Sequence, residues 1–144
     1  MESYYDTSCL AKLYIPERDS ERMLKHVIDA GRALLFTPLH ETELRNAIAL
    51  KAFRGEIERD EMTATFFKIE SDLQAGRLFQ VSVEWPGVFQ CANELSAAYT
   101  MQEGCRTLDI LHVALANGFD CRHFITNDER QRNLARHIGM AVEW

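Results

Sequence analysis

Four acidic residues are placed where they could share one site: Asp6, Glu43, Asp109 and Asp128. Asp6 and Asp128 come off the ends of short predicted strands, whereas Glu43 and Asp109 stand in the first turns of predicted helices. Carboxylate oxygens are the ligands that hard cations such as Mg²⁺ and Mn²⁺ prefer. A cation held among them would lower the pKa of a bound water and stabilise charge on a phosphodiester. The spacing therefore indicates a metal-assisted hydrolase that acts on phosphate esters.

Each acidic residue also has an explanation that needs no ligand. Asp6 and Asp128 could cap the helices that follow them, a use of Asp worth about 1 kcal/mol. Asp109 could complement the positive end of its helix dipole, and Glu43 could lie in solvent. The sequence alone leaves both explanations open for each residue.

The neighbouring acid Glu41 is the weaker candidate of its helix. Two residues along a helix correspond to a rotation of about 200°, so Glu41 and Glu43 cannot both face one crevice. Glu41 shares a face with Arg45, which favours a solvent-exposed ion pair. Glu43 shares a mostly apolar stripe with Leu39 and Ala47, and a carboxylate in such surroundings needs a compensating partner such as a metal ion.

The elements that must position these acids alternate between strand and helix. Strands are predicted at 3–5, 33–36, 78–83, 123–126 and 140–142. Helices are predicted at 8–15, 20–30, 38 towards 55, 57–75, 88–101, 107–117 and 128–138. This order is typical of an α/β protein with a parallel sheet between helices. In such sheets the ligand crevice lies beyond the carboxyl ends of the strands, where Asp6 and Asp128 are predicted.

Composition narrows the class of protein. The 144 residues suit one domain, over 1–144, and the four cysteines show no Cys-x-x-Cys pair, so a disulfide scaffold is not expected. The net charge of −6 disfavours a plain nucleic-acid-binding module, unless carboxylates hold cations that reverse the local field. No leader segment and no long apolar run is visible, which predicts a soluble, cytoplasmic protein without a membrane partner.

Four segments resemble, in order, the motifs of PIN-domain toxins of the VapC type. They are residues 5–14, 43–48, 106–114 and 124–128, and together they span nearly the whole chain. The resemblance implies a PIN-like three-layer α/β/α domain with a five-stranded parallel sheet. It also implies Mg²⁺- or Mn²⁺-dependent endonucleolytic cleavage of RNA. The implied partners are RNA, a cognate antitoxin protein and a second copy of the chain in a homodimer.

The resemblance also assigns roles to residues. Asp6 and Asp109 match the central metal-binding pair, Glu43 would complete the metal shell or position a water, and Asp128 matches the fourth acid. Thr7 and Ser8 match hydroxyl positions near the site and could hydrogen-bond a carboxylate or the phosphate. Asn127 could contact the metal shell through a water or cap the helix that follows, and we favour the cap.

Several further residues have competing explanations. His112 could act as a general base, but we interpret it as a histidine that packs its helix. Basic residues around the last strand and helix could contact RNA: Arg122, Arg130, Arg132 and Arg136. The helices at 20–30 and 57–75, with Phe53, Phe66 and Phe67 nearby, could form a groove for the antitoxin.

Three other functions compete with the nuclease. One is a structural interaction module, for which the grouping of the four acids would be a coincidence. A catalytically silent PIN-like protein could bind RNA or act as a regulator without cutting. A phosphatase could use Asp6 as nucleophile, but the familiar pattern requires a second Asp two residues later, where this chain has Ser8.

Overall fold

Short strands alternate with helices throughout residues 2–144, which the computed structural model describes. The strands are β1 (Ser3–Tyr5), β2 (Leu34–Phe36), β3 (Leu78–Gln80), β4 (His123–Ile125) and β5 (Ala141–Glu143). The helices are α1 (Thr7–Ala11), α2 (Ser20–Ala30), α3 (Pro38–Phe53), α4 (Arg59–Gln74), α5 (Trp85–Leu95), α6 (Met101–Glu103), α7 (Thr107–Gly118) and α8 (Glu129–His137). A π-helical segment, Ser96–Thr100, joins α5 to α6. The predicted α/β class is confirmed.

All described strand pairs are parallel, and they form two sheets. One sheet has the order β1-β4-β5 and the other pairs β2 with β3. The single five-stranded sheet is therefore not confirmed, and the three-layer arrangement stays a prediction. Periodicity and turn residues locate a strand, but they carry no information about which strand it bonds to.

The described chain divides into two compact units. The terminal unit contains the residues up to Asp6 together with Ser82–Trp144, and the middle unit contains Thr7–Val81. The expectation of one PIN-like domain over 1–144 stays a prediction. No helix within residues 2–144 has both the length and the apolar character needed to cross a membrane.

The core of the terminal unit forms between its sheet and α7. Tyr4 of β1 is fully buried and stacks on Phe124 of β4, with the ring centroids 5.4 Å apart. A buried tyrosine hydroxyl needs a polar partner, and Tyr4 Oη lies 2.7 Å from Nδ1 of His112. This contact supports the interpretation of His112 as a packing residue of α7.

Helix α3 of the middle unit begins with a capping box. The Thr37 hydroxyl accepts the backbone N–H of His40, and His40 Nδ1 accepts the backbone N–H of Thr37. Pro38 suits the first turn because its ring fixes φ and its missing N–H is not needed there. This start fixes the position of α3, the helix that carries Glu43.

Several element boundaries differ from the sequence predictions, and the two on either side of Glu84 have a local cause. The strand predicted at 78–83 ends at Gln80, and the helix predicted at 88–101 begins earlier, at Trp85. Glu84 accepts the backbone N–H of Gly87, and Pro86 stands in the first turn. Trp85 and Pro86 therefore begin a helix here, whereas the sequence analysis began it at Val88, three residues after Trp85.

Replacing Thr37 by Ala should lower the free energy of unfolding by about 1 kcal/mol, the usual contribution of such a cap. Thr37 is only 1% exposed, so water does not replace the lost bond. Urea denaturation measures the change, with Thr63→Ala on an exposed position of α4 as the control. Equal stability of the two variants would contradict the capping role.

Candidate active site

Asp6 lies at the carboxyl end of β1, next to the end of β4. Its backbone N–H donates to the carbonyl oxygen of Ile125 over 3.1 Å, which continues the parallel ladder by one step. The side chain is 2% exposed, and the Thr126 hydroxyl donates to Asp6 Oδ2 over 2.7 Å. Neighbouring parallel strands thus bring an acid and a hydrogen-bond donor together at one edge of the sheet.

Asp109 stands in the first turn of α7 and is 6% exposed. Its Oδ2 accepts the backbone N–H of Arg106 over 3.0 Å, and its Oδ1 accepts Nε2 of Gln131 over 3.1 Å. One carboxylate oxygen of Asp109 therefore stabilises the start of its helix. The other oxygen is bound by a side chain from α8.

Asp128 is the N-cap of α8. Its Oδ1 accepts the backbone N–H of Gln131 over 2.9 Å, and its own N–H donates to Thr126 Oγ1 over 2.9 Å. The sequence analysis also considered Asn127 as a cap, and the structure shows that this was wrong. Asn127 is exposed, and the residue at the cap position is Asp128.

Thr126 and Gln131 connect the three acids of the terminal unit. Thr126 donates to Asp6 and accepts from the backbone of Asp128, while Gln131 binds Asp109 with its side chain. Sequence reasoning did not assign a role to either residue. Thr126 lies inside the fourth motif, and Gln131 stands three residues after a capping Asp, so both positions carried a usable signal.

Glu43 belongs to the middle unit, where Thr7 binds it. The Thr7 hydroxyl donates to Glu43 Oε1 over 2.8 Å, and Glu43 is half-buried. Ser8 is exposed on α1. Glu41 accepts Nε of Arg45 over 3.2 Å, which confirms the predicted ion pair and separates Glu41 from the candidate acids.

The carboxylates suit a divalent cation in their donor chemistry. Burying two ionised carboxylates is costly unless charge or hydrogen bonds compensate them, and the amide and hydroxyl donors to Asp6 and Asp109 supply part of that compensation. No group of three His, Cys, Asp or Glu residues within 2–144 forms a set that could hold a metal ion. Mg²⁺ is, however, commonly held by one or two carboxylates together with waters and substrate phosphates. Asp6 and Asp109 fit that mode of binding.

The thiols are poor candidates for metal ligands. None of the four cysteines forms a disulfide, and burial raises the pKa of the Cys121 thiol to about 11. A thiol must lose its proton to bind zinc, and the burial of Cys121 makes that step more costly.

The basic residues near the last helix differ in what they do. Arg132 Nη2 donates to the carbonyl oxygens of Thr126 and Trp144, so Arg132 connects the residues that follow β4 and β5. Arg106, which the sequence analysis missed, has a side chain that is 71% exposed, and its Nε lies 3.8 Å from Asp109 Oδ2. Arg106 is therefore the cation beside the buried acid.

Comparisons with known proteins found similar proteins that match this chain over nearly its whole length. No protein-family profile matches the chain. The chain is 32% identical over 141 residues to Ribonuclease VapC46 of Mycobacterium tuberculosis, covering 96% of this chain and 94% of that protein. Its fold is similar to a chain of FitAcB from Neisseria gonorrhoeae, with a TM-score of 0.70, 18% identity and coverage of 97% and 95%. It is also similar to a chain of VapBC2 from Rickettsia felis, solved with a DNA fragment from their promoter, with a TM-score of 0.64, 14% identity and coverage of 99% and 98%.

Replacing Thr126 by Val should lower the free energy of unfolding by about 1–3 kcal/mol, the usual cost when buried polar groups lose a partner. Valine keeps the shape of threonine but neither donates to Asp6 nor accepts from Asp128. Thr126→Ser keeps the hydroxyl and is the control. Chemical denaturation measures both variants, and a Val variant as stable as the Ser variant would contradict the importance of these bonds.

Proposed function

We propose that this chain, which belongs to the VapC family of PIN-domain ribonucleases, is the toxin of a toxin–antitoxin pair. We further propose that it cleaves RNA with Mg²⁺ or Mn²⁺. The observation that carries this proposal is the arrangement of Asp6 and Asp109. Both side chains are almost completely buried carboxyl groups. Thr126 donates a hydrogen bond to Asp6, and Gln131 donates one to Asp109. That is the donor chemistry a hard divalent cation needs.

Asp6 and Asp109 would hold the cation, and the residues around them keep their carboxylates in place. A bound divalent cation supplies an activated water and stabilises charge on the phosphodiester. Thr126 holds Asp6 Oδ2, while Arg106 and Gln131 each donate to one oxygen of Asp109. A carboxylate oxygen has more than one lone pair, so these bonds leave coordination capacity.

The resemblance to VapC-type motifs also assigns Glu43 a role, in completing the metal shell or orienting the attacking water. Within the middle unit, the Thr7 hydroxyl donates to Glu43 Oε1. Asp128 would take part with its second carboxylate oxygen, because its Oδ1 caps α8. Asp128 also contacts Thr126 and Gln131, the two residues that hold Asp6 and Asp109.

RNA would be held next to the acids by exposed cations. Arg106 is the best placed of these, because its guanidinium is exposed beside Asp109. An arginine can bind a phosphate through two parallel hydrogen bonds. This local cation, together with a bound metal ion, would offset the net charge of −6 that otherwise opposes RNA binding.

Replacing Asp109 by Asn should reduce RNA cleavage by at least about hundredfold. Residues that only orient a metal ligand typically contribute about 10–100-fold, and a residue that holds the metal itself should contribute at least the upper value. Asp6→Asn should do the same, because each change removes a charge that the cation needs. The assay is cleavage of an RNA pool by partner-free protein with Mn²⁺, Mg²⁺ or EDTA.

The control for this assay is Asp120→Asn. Asp120 is exposed and has a φ of 54°, a conformation that Asn also tolerates. It therefore loses the same charge without strain and away from the acids. Undiminished cleavage by folded Asp109→Asn would refute the metal-assisted mechanism. An absence of metal binding and cleavage in the unmodified chain would favour the silent RNA-binding alternative.

A groove in the middle unit suits the proposed antitoxin partner. A cavity of about 390 Å³ lies between α2 and α4, and Leu24 and Ile28 at its border are 50% and 65% exposed. Exposed apolar residues grouped in this way commonly mark a protein-binding site. Phe67 of α4 and Phe53 are also exposed. The homodimer and the cytoplasmic location stay predictions.

Replacing Ile28 by Asp should weaken the complex with the co-expressed antitoxin by at least about tenfold, equal to 1.4 kcal/mol, because it replaces apolar contact area by a charge that binding must desolvate. RNA cleavage by the free variant should not change. Met101→Asp is the control, since Met101 of α6 is fully exposed and does not line the cavity. Titration of the purified partners gives the affinities, and equal weakening by both variants would argue against the groove.

A further inference from the structure

We propose that Gln131 is a positioning residue that sets the orientation of the Asp109 carboxylate for metal binding. This inference rests on the proposed nuclease function and adds a residue to its site. Gln131 lies in the first turn of α8 and is 7% exposed. Its Nε2 donates to Asp109 Oδ1 over 3.1 Å.

The Asp109 carboxylate is held by two donors from two different elements. The backbone N–H of Arg106 binds Oδ2 and the Gln131 side chain binds Oδ1. One donor alone would leave the carboxylate free to rotate about its terminal bond. Two donors on different oxygens fix its plane, so the remaining lone pairs point in a defined direction. Without Gln131, only one donor of this pair would remain, the backbone N–H of Arg106 at the start of α7.

The side chain of Gln131 can bind Asp109 because Thr126, and not Gln131, accepts the backbone N–H of the residue that caps α8. Three residues after a capping Asp, a Gln usually turns back to the N–H of the cap residue. Here the Asp128 N–H donates to the Thr126 hydroxyl instead. The backbone N–H of Gln131 still donates to Asp128 Oδ1, so the residue serves the cap with its backbone and Asp109 with its amide.

The charges around Gln131 fix which way its amide points. Its nitrogen faces Asp109, and its oxygen lies 3.4 Å from Thr126 Oγ1, whose single hydrogen is donated to Asp6 over 2.7 Å. The opposite orientation would place the amide oxygen against a carboxylate oxygen. Because the amide is neutral, it orients Asp109 without cancelling the negative charge that attracts the cation. A lysine or arginine at this position would neutralise that charge.

The test replaces Gln131 by Met, which keeps the length of the side chain but has no N–H to donate. Residues that orient a metal ligand typically contribute 10–100-fold to metal affinity or activity. We expect Gln131→Met to bind Mn²⁺ about tenfold more weakly in calorimetric titration without RNA. Gln131→Asn keeps the amide but is one methylene shorter, so it should show the same loss. It also provides the test if the Met variant does not fold.

The matched control is Asn133→Ala on the same helix. Asn133 Nδ2 donates to Glu103 Oε2 over 3.1 Å, so this variant also loses one side-chain bond of α8, but not to an acid of the site. It should bind Mn²⁺ like the unmodified chain. Unchanged Mn²⁺ affinity in folded Gln131→Met, or an equal loss in Asn133→Ala, would overturn the positioning role. A failure of the unmodified chain to bind Mn²⁺ and cleave RNA would overturn the proposed function itself.

Discussion

The hydrogen bond from Thr126 to Asp6 is the contact on which the polar centre of the terminal unit depends. It exists because β1 and β4 pair in parallel with Tyr5 opposite Ile125, so the next residue of each strand lies beside its counterpart. A one-residue slip of this register would turn Asp6 or Thr126 to the other face of the sheet. The apolar packing of β1 and β4, including the stacked Tyr4 and Phe124, therefore also fixes the geometry of the acids.

The other two acids of this unit stabilise helix starts and are also candidates for the site. Asp109 binds the backbone at the start of α7, and Asp128 binds the backbone at the start of α8. A carboxylate has two oxygens, so one can satisfy a helix N–H while the other serves another partner. The choice between a helix cap and a functional acid, which the sequence leaves open, is therefore not an exclusive one. A neutral Asn at either position could keep the cap and still lose the charge.

The sequence predicted those parts of the fold that depend on local signals. Gly31 ends α2 in the left-handed conformation, Thr37 caps α3, and Asp6 follows the first strand, all as the local pattern predicts. Contacts between distant residues were not predictable in this way. The bond between Tyr4 and His112 joins residues 108 positions apart, and that between Asp109 and Gln131 joins residues on two helices. The division of the strands into two sheets depends on such contacts too.

The neutral donors around the acids explain how a chain with a net charge of −6 could act on RNA. Thr126, Gln131 and the backbone of Arg106 orient Asp6 and Asp109 without adding positive charge. These donors therefore leave the charge of the carboxylates in place, which would favour the proposed divalent cation and repel a phosphate. A bound cation would reverse the local field and attract the same phosphate, as the exposed guanidinium of Arg106 also would. Binding of metal and of RNA would then favour each other to the same degree, because such coupling is reciprocal. A site built with lysines in place of these neutral donors would attract RNA without the metal, and it would lose that dependence.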